Sequence, residues 1–141
     1  MNVLEIVSRI WLTGANIYYD SVDGKLGIHR HELIDKELLT AAQESYSEIE
    51  AWFLEWNNES VENKTLQKIL FTFSDIKQND GVSKWLNTDQ TSMYLFIDMT
   101  VLWAKQGMKS PFDDYRKYET QESIEIKNKL YRNAMTFHKR K

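Results

Sequence analysis

Two histidines separated by a single residue are the most metal-like feature of this sequence. His29 and His31 are followed by Glu32, and alternate side chains of a β-strand point to the same face, so this spacing could hold a metal ion. Zinc sites in proteins use three or four protein ligands, however, and no third ligand follows at a suitable spacing. We therefore interpret the pair as the polar end of a strand, and we expect neither a metal nor another cofactor.

Adjacent carboxylates suggest a second possible site for a divalent cation. Asp113 and Asp114 follow the dipeptide Ser110-Pro111. Ser-Pro is a common start of a helix, and acidic residues in the first helical turn are stabilised by the helix dipole. We interpret the two aspartates as capping residues of a short helix rather than as metal ligands.

The motifs of the common enzyme classes are missing from the sequence. The chain has no Cys, five Gly and one Pro, which excludes thiolate chemistry, disulfides and Cys-ligated zinc. It contains no Gly-rich phosphate loop, nucleophile elbow or zinc-protease motif. We therefore expect a protein without enzymatic activity.

Cysteine usage and hydropathy also indicate a compartment. The absence of Cys fits a reducing environment, and Glu5 and Arg9 interrupt the apolar N-terminal stretch, which is unlike a signal peptide. The longest nearly apolar run, residues 93–104, is shorter than the roughly 20 residues that a bilayer requires. We expect a cytoplasmic protein that does not enter the membrane.

Cationic and aromatic residues surround the strongest turn signal in the chain. β-branched and aromatic residues alternate on both sides of Asp23-Gly24, which predicts a β-hairpin. The open edges of a two-stranded hairpin can accept a peptide as an added strand, and the exit of this hairpin is basic. The residues expected to share its buried face are Ile17, Tyr19, Leu26 and Ile28. The residues expected to bind a partner peptide of acidic character are Tyr18, Lys25, His29, Arg30 and His31.

The basic C-terminal end provides an alternative contact surface. A cationic helix could lie along the phosphates of nucleic acid, although Glu122 and Glu125 dilute its charge and the overall pI is about 5.6. The same cations would also suit the negative end of a helix dipole. The candidate nucleic-acid contacts are Lys127, Arg132, Lys139, Arg140 and Lys141.

Three large rings lie close together in the first half of the chain. Trp52, Phe53 and Trp56 offer more apolar area than one face of a small helix needs to bury. Either these rings pack against the C-terminal helices as part of the core, or they form the seam of a homodimer.

Helical periodicity surrounds the predicted hairpin. Apolar residues recur at steps of three and four over residues 2–13, and Gly14 stands where a helix-ending glycine belongs. Asp35 can cap a second helix, and Ser45 with Glu48 forms the pattern of a capping box that opens a third helix.

Charge and composition place a boundary near residue 60. Residues 1–60 carry four Lys or Arg and eleven Asp or Glu, a net charge of −7, whereas the remaining residues carry fourteen and ten, a net charge of +4. The polar stretch over residues 57–64 is the expected linker. We predict two domains, residues 1–58 and 59–141.

The second domain is predicted to be helical throughout. An amphipathic helix starts near Leu66 and is broken at Asp80-Gly81, and a turn follows around Trp85 and Leu86. The helix from residue 88 to residue 106 is apolar on most of its circumference, which is typical of a central helix. Within it, Asp98 is expected to face a narrow solvent stripe, and a buried ion pair is the alternative.

Residues 1–56 resemble the small N-terminal docking domains of the tubulysin-synthetase type. The features that carry the resemblance are the amphipathic helix over residues 3–11, Gly14, the hairpin over residues 16–29 with Asp-Gly-Lys-Leu at its bend, the Leu-Ile-Asp entry at residues 33–35, and the closing helix over residues 45–56. The resemblance implies a domain that dimerises and receives a short linear segment of a partner protein beside its hairpin. Similar small domains look to be used in proteins of mobile elements, which would fit a bacterial or phage source.

These observations predict a mainly α protein. It would consist of a helix–hairpin–helix–helix docking-like unit followed by a helical bundle. The expected function is that of a non-enzymatic docking or adaptor protein that binds a peptide segment of another protein through its hairpin and forms a homodimer. The alternative is a DNA-associated accessory protein of a mobile element that uses its basic C-terminal helix.

Overall fold

A computed structural model describes residues 1–139, and the chain is mainly helical, as the sequence predicts. Helices account for 68% of the structure. Over the described residues there are seven α-helices and one antiparallel hairpin of two strands. The chain forms two compact units, Met1–Glu59 and Ser60 onward.

The N-terminal unit has the predicted order of helix, hairpin, helix and helix. Its first helix begins after Asn2, whose side-chain oxygen accepts a hydrogen bond from the Glu5 backbone N–H at 2.8 Å, and it ends before Gly14, which has a φ of +93°. The elements are α1 Val3–Leu12, β1 Asn16–Asp20, β2 Lys25–His29, a 3-10 turn His31–Leu33, α2 Lys36–Glu44 and α3 Tyr46–Asn57.

The core of the N-terminal unit lies where α1 meets the hairpin and the two later helices. Val7, Ile10 and Ile49 are completely buried, and Ile17 of β1 packs into the same cluster. One face of the hairpin is thus buried in this core, and the opposite face points away from it.

The second unit consists of four further helices. Ser60 caps the first of them, since its hydroxyl accepts a hydrogen bond from the Asn63 backbone N–H at 3.2 Å. The elements are α4 Val61–Phe73, α5 Asp80–Thr88, α6 Gln90–Lys105, a 3-10 helix Tyr115–Tyr118 and α7 Gln121–Lys139.

Aromatic stacking joins α6 to the 3-10 helix in the second core. The rings of Trp103 and Tyr115 stack with centroids 4.9 Å apart, and both residues are almost completely buried. Leu130 of α7 and Leu66 of α4 are buried in the same unit.

The predicted capping box at the start of α3 is wrong. Ser45 precedes α3 as expected, but its side chain makes no capping hydrogen bond. Ser45 also ends α2, where its N–H donates to the Ala41 carbonyl at 3.1 Å. Its φ of −106° and ψ of 19° are therefore unlike the extended backbone of an N-cap residue.

Two predicted interruptions lie elsewhere in the structure. The linker is shorter than residues 57–64, because α3 continues to Asn57 and α4 begins at Val61. Asp80-Gly81 does not break a helix but begins α5, which Asn79 caps through the Val82 backbone N–H. The predicted turn around Trp85 and Leu86 is accordingly helical, and both side chains are buried.

Two predictions about α6 and the segment that follows it also need correction. α6 is buried on one side only, because Ile97 and Val101 are 39% and 48% exposed. The α-helix predicted after Ser110-Pro111 is a turn followed by the 3-10 helix. The favoured interpretation of Asp98 is confirmed, since its side chain is exposed.

Candidate partner-binding site

Strand register sorts the hairpin side chains onto two faces. Ile17 pairs with Ile28 and Tyr19 with Leu26, whereas Tyr18 pairs with Gly27. Leu26 and Ile28 pack against the N-terminal core together with the buried Ile17. Because side chains alternate along a strand, Tyr18 lies on the outer face, as predicted.

The outer face carries an aromatic pair that lies across a glycine. The Tyr18 and His29 rings are stacked, with centroids 4.8 Å apart and planes inclined by 20°. A Cβ atom at Gly27 would stand 2.6 Å from the Tyr18 Cζ and Oη atoms. The Tyr18 ring therefore uses the space that a side chain at Gly27 would fill, and it forms an aromatic platform with His29.

Each outer edge of the hairpin makes a side-chain hydrogen bond with a neighbouring helix. The Trp11 indole Nε1 donates to the Ile17 carbonyl at 3.2 Å, and the Leu26 backbone N–H donates to the Tyr46 hydroxyl at 3.3 Å. Alternate residues of an antiparallel pair direct their backbone groups away from the partner strand. The two hydrogen bonds show that Ile17 in β1 and Leu26 in β2 direct backbone groups outward. Ile28, two residues after Leu26, does the same, so Leu26 and Ile28 form the outer edge of β2.

The two edges differ in how the rest of the unit covers them. β1 packs against α1 and α3, whereas β2 has β1 as its main neighbour. The Tyr46 hydroxyl at the β2 edge belongs to a side chain that is 43% exposed. Within the N-terminal unit, β2 therefore has fewer neighbouring elements than β1, and Tyr46 contacts its outer edge.

Exposed basic side chains lie at both ends of β2. Lys25, Arg30 and His31 are exposed, as is His29 within the aromatic platform. Arg30 has a φ of +60°, in the left-handed region, so the chain turns sharply at the exit of the strand.

A carboxylate accompanies the cation at the bend. Asp20 pairs with Lys25 across the hairpin. The pKa of Asp20 is lowered by hydrogen bonds from the backbone N–H groups of Asp23 and Val22, and to a smaller extent by Lys25. Asp20 is thus engaged in closing the turn, while Lys25 extends into solvent.

The three rings of the predicted seam make aromatic contacts inside their own unit. Trp52 lies edge-to-face with Trp11 of α1 at 6.4 Å and with Phe53 at 4.9 Å, and Trp56 is 9% exposed. The sequence suggested the C-terminal helices or a second copy of the chain as packing partners of these rings, and it did not point to Trp11. Trp11 lies on the apolar face of α1, whose residue spacing predicts that helix.

One of the basic residues of α7, Lys127, is held by neighbouring side chains of its own unit. The Lys127 ammonium donates hydrogen bonds to Glu119 Oε2 at 2.9 Å and to Asn63 Oδ1 at 3.0 Å, and this side chain is 12% exposed. Arg132 and Lys139 are exposed. Arg140 and Lys141 lie outside the described residues.

The adjacent aspartates have hydrogen-bond partners within the protein. Among the described residues, the paired histidines belong to no group large enough to hold a metal ion. The Asp114 carboxylate caps the 3-10 helix through the Arg116 N–H at 3.0 Å and pairs with the Arg116 side chain. Asp113 accepts a hydrogen bond from the Lys109 N–H at 3.0 Å. In residues 1–139, no group of three or more His, Asp or Glu side chains is arranged to hold a metal ion.

Sequence reasoning overlooked two residues of the site. Gly27 could have been noticed, because an isolated glycine inside a strand often marks a close approach of another group. Tyr46 carried no such signal, since its hydroxyl reaches Leu26 only through the packing of α3 beside the hairpin.

Comparison with known proteins yields no relative. The chain matches no protein-family model, no curated protein and no solved structure. Across the part of the chain that the structure describes, every helix is too short or too polar to span a bilayer.

Proposed function

We propose that this protein is a non-enzymatic docking protein whose hairpin binds an extended, acidic peptide segment of a partner protein. The observation that carries the proposal is the combination, at β2, of an accessible strand edge and exposed cations. The resemblance of residues 1–56 to docking domains points in the same direction.

An added strand would use the backbone of β2 for affinity. Leu26 and Ile28 direct donors and acceptors outward, and an incoming strand pairs with such groups. Its alternate side chains would contact the outer face, where the Tyr18 and His29 platform lies. One apolar or aromatic side chain of the peptide would pack on this platform.

Charge selects the class of peptide. The N-terminal unit has four Lys or Arg and eleven Asp or Glu, so its body repels an acidic ligand. Lys25 and Arg30, at the two ends of β2, are two of those four cations. Acidic residues near both ends of the peptide would therefore find complementary charge beside β2 and almost nowhere else on this unit.

A peptide-display selection tests the proposal and does not require the natural partner to be identified. A random library selected on the wild-type protein should yield peptides enriched in Asp and Glu. The variant Lys25→Glu/Arg30→Glu should lose those peptides, with an affinity for them at least about tenfold weaker. The control is Lys36→Glu, which changes another exposed cation of the same unit and should bind normally.

The proposal fails if the selected peptides show no acidic bias, or if Lys36→Glu weakens binding as much as the double reversal. Backbone amide shifts then locate the contact. Peptide addition should perturb Leu26 and Ile28 more strongly than Ile17, whose carbonyl is held by Trp11.

Removal of one hydroxyl provides a second test of strand addition. Tyr46→Phe deletes the group that accepts from the Leu26 N–H and leaves this donor available to the peptide. We expect binding to tighten by about two- to tenfold, since a typical hydrogen bond contributes about 0.5–1.5 kcal/mol. Weaker binding would indicate that the Tyr46 hydroxyl itself contacts the ligand, and would argue against strand addition at this edge.

A further inference from the structure

One side of α6 is exposed although several of its residues are apolar. Its other side is buried against α5, α7 and the 3-10 helix. The exposed apolar side chains are Tyr94, at 63% exposure, Val101, at 48%, and Ile97, at 39%. Such a row is more than the single apolar residues that are scattered over most protein surfaces.

Charged residues continue this row along the helix. Tyr94, Asp98, Val101 and Lys105 follow one another at steps of four, three and four residues, and all four are exposed. This spacing keeps the side chains in one narrow stripe, as in the seam of a coiled coil. We refer to these four residues as the α6 stripe.

The charges of the α6 stripe are complementary to those of a second, antiparallel copy of the same stripe. Asp98 and Lys105 are two helical turns apart, with Val101 between them. If a second α6 lies antiparallel about a two-fold axis near Val101, each contact occurs twice, and each Asp98 lies near the Lys105 of the other copy. In a parallel pair, Asp98 would instead lie beside Asp98.

We infer that the α6 stripe is a self-association surface, on which a second copy of this chain packs antiparallel. Val101 of the two copies forms the apolar centre, and Asp98–Lys105 pairs form on both sides of it. Tyr94, one turn from Asp98, places its ring near the same ammonium group. The inference is independent of the proposed peptide binding, because it concerns the second unit.

Charge-reversal variants test both the surface and its symmetry. A seam of this length is at the small end of protein interfaces, so we expect a dissociation constant in the micromolar range. Sedimentation equilibrium from about 1 μM to about 1 mM should show a monomer of 16.8 kDa changing to a dimer. Asp98→Lys and Lys105→Glu should each raise the dissociation constant by about tenfold or more, because like charges then meet twice.

An equimolar mixture of the two variants is the decisive sample. One variant carries two cations in the stripe and the other carries two anions, so the mixed pair has opposite charges at both contacts. We expect the mixture to dimerise at least as strongly as the wild type, while each variant alone dimerises about tenfold more weakly or less. The controls Glu125→Lys and Lys129→Glu, on the exposed side of α7, should associate as the wild type does.

Two outcomes would overturn the inference. A wild-type protein that is monomeric at every concentration would exclude a second copy as the occupant of this face. Dimerisation of Asp98→Lys and Lys105→Glu at wild-type strength would place the dimer contact elsewhere. Peptide binding at the hairpin should be equal in monomeric variants and wild type, so each proposal can fail without the other.

Discussion

At the scale of single residues, Gly27 determines the shape of the candidate binding site. The Tyr18 ring lies over Gly27 and stacks on His29 only because no Cβ atom stands in its way. In the proposed binding mode, the glycine of β2 would thus shape the surface that the peptide contacts, although it contributes no side chain. Gly27 matters because the Tyr18 ring occupies the space that a side chain at this position would fill.

Gly27→Ala should weaken peptide binding and leave the fold intact. The added methyl group would meet the far end of a movable side chain, 2.6 Å from the Tyr18 Oη and Cζ atoms, so the ring would swing away from His29. We expect a several-fold loss of affinity in calorimetry, with a change in unfolding free energy below about 1 kcal/mol.

A double-mutant comparison isolates this mechanism. In a Tyr18→Ala background the ring is already missing, so Gly27→Ala should then have little further effect on affinity. Equal losses from Gly27→Ala in both backgrounds would contradict a role for the ring position.

At the scale of helices and strands, patterns that involve a few neighbouring residues predicted most of the N-terminal unit. The hairpin register, α1 and the cap of α2 all follow from patterns within a few residues. The capping box at Ser45 failed because one residue had to end α2 and begin α3. Such a conflict between two elements cannot be seen in either pattern alone.

The exposed side of α6 was unpredictable for a different reason. Periodicity shows which residues share a face of a helix, but it does not show how many neighbours the helix will have. Val101 and Phe96 are both apolar, yet only Phe96 is buried. The outcome depends on packing partners that are distant in sequence, as does the burial of Lys127 by Glu119 and Asn63.

Lys127 should be important for stability rather than for binding phosphates. Lys127→Met would remove the donor that Glu119 and Asn63 share, and we expect a loss of about 2 kcal/mol in urea unfolding. Lys129→Met, at an exposed position of the same helix, should change stability by less than about 0.5 kcal/mol. Equal losses in the two variants would argue against this role.

The cap of α6 should make stability depend on acid. The pKa of Asp89 is lowered, chiefly by the Ser92 hydroxyl, which donates to it at 2.7 Å. A lowered pKa in the folded state means that the stabilisation is complete above the ordinary value of 3.8 and is lost as the pH falls through the folded value. Asp89→Ala should therefore cost about 1 kcal/mol at pH 7.

The matching measurement is the difference in unfolding free energy between wild type and Asp89→Ala at several pH values. The difference should be constant above about pH 4 and shrink as the pH falls further. Because the Ser92 hydroxyl also accepts from Asn133 of α7 at 3.0 Å, the loss should affect α7 as well. A difference that is constant with pH would contradict the assigned role of the carboxylate.

At the scale of the whole molecule, each of the two compact units has its own apolar core. Ile49 is completely buried in the first unit and Leu130 is 1% exposed in the second. Ile49→Ala and Leu130→Ala should each cost about 2–5 kcal/mol in the unit concerned. Amide hydrogen exchange should then become faster in that unit, while the slowest-exchanging amides of the other unit keep their rates. Faster exchange throughout the chain in either variant would show that the two units unfold together.

The uneven charge of the N-terminal unit would limit the length of an acidic ligand bound at the proposed site. The unit carries a net charge of −7 with the cations beside β2 included, so a short acidic peptide could reach these cations while a long polyanion would have to lie along a repelling surface. The hairpin would thereby act as a length filter for negative charge, admitting brief acidic stretches and rejecting nucleic acid.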